Sequence, residues 1–160
     1  MKKFWNIVIK SVLFLIAGML TATLSHAQNV DRSTIQRFIN GKTFVFRAQT
    51  VMPMTGSART LTSDYEIKLV GDSLICNLPY FGRAYSAGYG EGGGLNFTST
   101  KFEYKAKQRK KGGWDITIDP KDANDVRELN FTVSEKGYAN LQVLSNNRQP
   151  ISFTGYVETK

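Results

Sequence analysis

The sequence predicts an all-β domain: an antiparallel up-and-down meander closed into a small lipocalin-like barrel or half-open clam, with one short N-terminal helix. Three observations carry this. From Thr43 onward, apolar residues recur with period two, the spacing of strands with one buried and one wet face. Short polar segments containing Gly, Asn or Asp separate these runs. An open sheet of about eight or nine such strands would carry exposed edges, and closure removes them. A two-sheet β-sandwich is the alternative.

The elements follow in chain order. Lys2, Lys3 and Lys10 form a basic start, Val12 to Leu20 is apolar, and Ser25-His26-Ala27 supplies a small-x-small cleavage pattern. Residues 1–27 therefore read as a signal peptide cleaved after Ala27. An uncleaved anchor is the alternative, but the apolar run is short for a bilayer. Residues 28–42 form an N-terminal segment with a helix capped by Asp31, aligning Ile35, Phe38 and Ile39, and stopped by Gly41. Residues 43–158 form the barrel domain.

Within it, Tyr65, Ile67 and Leu69 oppose Asp64, Glu66 and Lys68. Phe102, Tyr104 and Ala106 oppose Lys101, Glu103, Lys105 and Lys107, and Trp114, Ile116 and Ile118 oppose Asp115, Thr117 and Asp119. The pattern returns at Leu129, Phe131 and Val133, at Ala139, Leu141 and Val143, and at Ile151 and Phe153. Gly71-Asp72 suits a two-residue hairpin. Lys110 to Gly113, Glu135 to Gly137 and Asn146 to Pro150 are longer connections. The alternation slips between Phe97 and Phe102, predicting a break near Ser99, and Gly155 marks a bend in the last strand.

Composition narrows the chemistry. The chain has 160 residues and a formal net charge of +8, which loses three units with the signal. His26, the only histidine, leaves with it. The usual Ser/His/Asp, Cys/His and His-metal sites are thereby excluded, and no enzyme, cofactor or metal is expected. Cys76, the only cysteine, lies in phase with Leu74 and Leu78 and reads as a buried apolar residue. No segment after the signal is long and apolar enough for a membrane-spanning helix. Asp119, Asp122, Asn124, Asp125 and Glu128 read as a solvated acidic loop without calcium-loop spacing. The basic run Lys105, Lys107, Arg109, Lys110 and Lys111 reads as a solvated hairpin. Lipopolysaccharide phosphates or acidic glycans are its alternative partners, and nucleic acid is not expected because no aromatic stacking ladder accompanies it.

The candidate site is the segment from Leu78 to Gly94. Six of the 14 glycines fall between Gly82 and Gly94, interleaved with Tyr80, Phe81, Tyr85 and Tyr89. Gly88-Tyr89-Gly90-Glu91-Gly92-Gly93 matches G-x-G-x-x-G, but no helix or parallel crossover follows. Gly41-Lys42-Thr43 ends like a Walker A loop but lacks the upstream glycine. Tyr80, Phe81, Tyr85 and Tyr89 offer stacking faces, with Arg83 and Arg148 as forked donors for a carboxylate or phosphate. Tyr104, on an inward face, is a further candidate. In the alternative, these aromatics close one barrel end and Arg83 covers backbone carbonyls.

The run Leu78-Pro79-Tyr80-Phe81-Gly82-Arg83-Ala84-Tyr85, with Gly137-Tyr138-Ala139 and Ser145 to Gly155, resembles the exported Bacteroidetes proteins grouped as domain of unknown function 4251. The resemblance implies an envelope or secreted protein of a Gram-negative bacterium, and it brings no catalytic residues. The leading expectation is a non-enzymatic periplasmic or secreted protein binding a small apolar or amphipathic ligand. Phe44, Phe46, Tyr65, Phe102, Tyr104, Trp114, Phe131 and Phe153 either fill the barrel or line a cavity. The alternative is an interaction module for an envelope protein or glycan, built on a solid barrel.

Overall fold

The computed structural model describes residues 31–85 and 93–158. The expected signal peptide and the candidate Tyr89 lie outside the described residues. The helix α1 spans Arg32–Asn40, with Ile35 and Ile39 buried and Phe38 half-buried against the core. Asp31 precedes it in extended conformation, its carbonyl accepting the Thr34 and Ile35 N–H groups. Its side chain does not cap the helix as expected but accepts the Ser33 hydroxyl instead. Gly41 ends the helix in right-handed conformation, φ −80°, and the left-handed residue is Lys42, φ 49°.

Nine strands follow: β1 Thr43–Pro53, β2 Arg59–Val70, β3 Ser73–Pro79, β4 Gly94–Ser99, β5 Phe102–Gln108, β6 Trp114–Pro120, β7 Val126–Val133, β8 Tyr138–Ser145 and β9 Ile151–Glu158. Their order in the single sheet is β4-β3-β2-β1-β9-β8-β7-β6-β5, and every ladder is antiparallel. The two strands at the ends of that order therefore run in the same direction. Only Thr100 and Lys101 separate them. They are successive halves of one stave, β4 pairing with β3 and β5 with β6. The sheet is thus a nearly closed barrel of eight staves, and the sandwich alternative falls away.

The break in that stave sits where the alternation slips. Asp122, from the β6–β7 turn, holds it: one carboxylate oxygen accepts the buried Ser99 hydroxyl and the other the Thr100 N–H at 3.0 Å. Lys121 N–H adds a 2.7 Å bond to the Lys101 carbonyl. Gly155 faces the register shift between Ala48 and Thr50 of β1, where a Cβ would overlap the Arg47 carbonyl. The glycine permits the close approach of two backbones at a bulge.

The predicted inward residues form the core. Phe44, Phe46, Phe131 and Phe153 are among its largest fully buried side chains. Phe131 meets Phe44 and Phe46 edge-on, with centroids 6.0 and 5.5 Å apart. Strand β5 departs from the expectation: Phe102 and Tyr104 are half-buried and Ala106 is exposed. Helix α1 covers this side, where the Tyr104 hydroxyl donates to the Ile39 carbonyl at 2.9 Å. Arg32 pairs with Glu135 of the β7–β8 turn at 3.1 Å. The helix therefore docks at one end of the barrel, and the opposite end carries the candidate segment.

Candidate functional site

At the end away from α1, the β3–β4 connection lies beside the β8–β9 turn. Ala84 and Arg148 form an isolated β-bridge. Tyr85 N–H donates to the Asn147 carbonyl at 2.7 Å, and Gln149 N–H to the Arg83 carbonyl at 3.0 Å. Tyr80 sits beneath this contact, its hydroxyl 2.8 Å from the Arg83 carbonyl and 3.1 Å from that of Gln149. Gly82 makes the fold-back possible, because a Cβ there would collide with the Tyr80 ring. Burial raises the Tyr80 phenol above its ordinary value, keeping it a neutral donor.

Arg148 joins three connections. Its guanidinium carbon lies 5.1 Å from the Tyr80 ring centroid, and Nη1 donates to the Gly94 carbonyl at 3.2 Å. Nε approaches Asp125 Oδ2 at 2.7 Å, with the side chains only 11% and 18% exposed. Among the described residues neither oxygen of Asp125 makes an aligned hydrogen bond, so the contact is an ion pair. Asp125 is itself placed by Asn146 N–H, which donates to its carbonyl at 2.8 Å. The β3–β4, β6–β7 and β8–β9 connections are thereby locked to one another.

On this frame Phe81 and Tyr85 are 41% and 72% exposed, and Arg83 is exposed between them. The Arg59 guanidinium, at the start of β2, lies 5.0 Å from the Phe81 centroid. Among the described residues the Arg83 side chain has no hydrogen-bond or ion-pair partner; its backbone carbonyl is what the frame uses. The structure thus gathers Tyr80, Phe81, Arg83, Tyr85 and Arg148 at one rim. Tyr104 is not with them but packs under α1 at the other end, where burial raises its phenol.

The acidic loop differs from expectation. Asp122 and Asp125 make protein contacts rather than facing only water, and Asp119 pairs with Lys121 at 2.6 Å. The role of Asp125 was invisible in sequence, since nothing local marks a carboxylate whose partner lies 23 positions on, in another turn. Arg59 was missed for the same reason. Cys76 is buried as expected, and burial pushes its thiol well above the usual range. Among the described residues, no three His, Cys, Asp or Glu side chains converge as a metal site.

The model of the family described as Domain of unknown function (DUF4251) matches residues 26–157. No curated protein matches the chain. The chain is similar to the crystal structure of a DUF4251 family protein from Bacteroides eggerthii, with a TM-score of 0.61 and 15% identity. That likeness covers 82% of this chain and 89% of the other. At such identity it is a likeness of fold.

Proposed function

The chain belongs to the DUF4251 family, and we propose that it is an exported, non-enzymatic interaction module whose rim binds an envelope protein. The observation that carries this is the exposure of Phe81, Arg83 and Tyr85 on a backbone clamped by Tyr80, Arg148 and Asp125. Aromatic and arginine side chains dominate binding energy at protein interfaces, and holding them in place beforehand lowers the ordering cost. The fitting partner offers apolar recesses for Phe81 and Tyr85 and a carboxylate for Arg83.

The sequence pattern of residues 1–27 supports export. The non-enzymatic reading rests on the lack of histidine after His26 and on the buried, protonated Cys76. An apolar ligand within the barrel would need room at its centre. Phe44, Phe46, Phe131 and Phe153 pack there, which favours a solid barrel carrying an active rim.

A photo-crosslinking side chain in place of Tyr85, activated in intact cells, tests the reading. The expected result is one discrete protein adduct, lost with Arg83→Ala at unchanged Tm. Crosslinking to glycan alone would overturn it. So would a small apolar molecule released on denaturation in native mass spectrometry.

A further inference from the structure

The outer wall of the barrel holds a groove of about 640 Å³ remote from the rim, within the size range of small-molecule sites. Its floor is a cross-strand row. Thr132 of β7 pairs with Asn140 of β8, and Asn140 with Thr154 of β9. The bulge in β1 adds Gln49 beside Thr154. This floor consists of amides and hydroxyls, groups that both donate and accept hydrogen bonds. One of these valences is used, the Thr132 hydroxyl donating to Asp115 at 3.2 Å.

The walls come from two turns. Arg109 and Lys111 of the β5–β6 turn face Lys136 of the β7–β8 turn, and Tyr138 stands at the margin, 66% exposed. The carboxylates nearby are engaged: Glu135 pairs with Arg32 at 3.1 Å, and Asp115 with Arg109 at 3.6 Å. Lys111 and Lys136 have no carboxylate partner among the described residues and leave the groove electropositive. The basic run noted in the sequence thus supplies one wall of a concave, hydrogen-bonding surface.

We infer that this groove binds an acidic saccharide. Vicinal sugar hydroxyls both donate and accept, matching the Thr132-Asn140-Thr154-Gln49 row. Tyr138 offers a ring face to the apolar side of a pyranose. Lys111 and Lys136 meet the anionic substituent, a uronate carboxylate or a sugar phosphate. A nucleic-acid strand finds one aromatic here where it needs a series.

The test is an NMR titration of the protein with trigalacturonate and, separately, with glucose 6-phosphate. Neutral galactotriose and inorganic phosphate are the controls. Amide shifts centred on Thr132, Asn140 and Thr154 are expected with at least one acidic sugar, and the tighter of the two identifies the anion. The Lys111→Ala/Lys136→Ala double variant weakens that binding at least tenfold and flattens its salt dependence. Tyr138→Ala also weakens it, and both variants keep the wild-type Tm because the altered side chains are exposed. Silence at these amides, equal binding of galactotriose or inorganic phosphate, or wild-type affinity in the double variant would overturn the assignment.

Discussion

Arg148 does the most at the scale of single residues, because from the β8–β9 turn its guanidinium meets an aromatic face and a carbonyl at the β3–β4 connection and a carboxylate at the β6–β7 connection. Arg148→Ala strands Asp125 in a site where that carboxylate is only 18% exposed. Breaking a buried pair costs about 3–5 kcal/mol, and the residual solvent here lowers the expectation to roughly 2–3 kcal/mol. Urea denaturation measures it. The double variant Arg148→Met/Asp125→Leu recovers much of the loss, since the stranded charge is gone. If the double variant is no more stable than Arg148→Ala, the ion pair is not what locks the rim. The sequence displayed one half of this arrangement: Tyr80, Gly82 and Arg83 stand together in a conspicuous run, and Arg148 is a turn residue with a forked donor. It hid the other half, because Asp125 sits among Asp119, Asp122 and Glu128 with no local mark separating a buried carboxylate from wet ones.

Among the elements, the joint between β4 and β5 was legible as a defect and illegible as a device. The slip in alternation between Phe97 and Phe102 located the break, because a strand with one buried face cannot change phase without a bulge or an end. What clasps the break comes from the β6–β7 turn, and pairing between distant turns leaves no periodic trace. The Ser99 hydroxyl, and after it the Thr100 N–H, hold the Asp122 carboxyl below its ordinary value. A carboxyl depressed in the folded state binds its proton more readily after unfolding. Its contribution is therefore present above the unfolded value of about 3.9 and is lost as pH falls through the lower folded value. Thermal melts from pH 5 to pH 2.5 should show the gap between wild type and Asp122→Asn narrowing toward the acid end. A gap that stays constant across that window would exclude the carboxylate as the clasp. The same reasoning explains β5, where alternation predicted a buried Ala106 and the structure exposes it: Ala106 pairs with the buried Ile116 of β6, but β5 is the last strand in the sheet order, and period two reports a side chain's face but not what covers it.

For the whole molecule, alternation and hairpin turns sufficed for an all-β meander, and closure followed from the cost of open edges. The state of the interior did not follow. The same eight aromatics line a cavity or fill it depending on barrel width and on how rings meet across it, and these depend on register between strands far apart in sequence. Phe131 bears on it most directly, because its ring packs edge-to-face with both Phe44 and Phe46 of β1. Rings that meet in this way occupy the interior between β1 and β7, and removing one opens a void there. Phe131→Ala should cost about 3–5 kcal/mol, the transfer of the ring plus the void left behind. Benzene should then raise the Tm of the variant, since a dry apolar cavity of that size accepts it. The wild-type Tm should not respond. A wild-type protein stabilised by benzene as much as the variant would mean that the interior is a binding cavity after all, and the functional reading would return from the rim to the barrel itself.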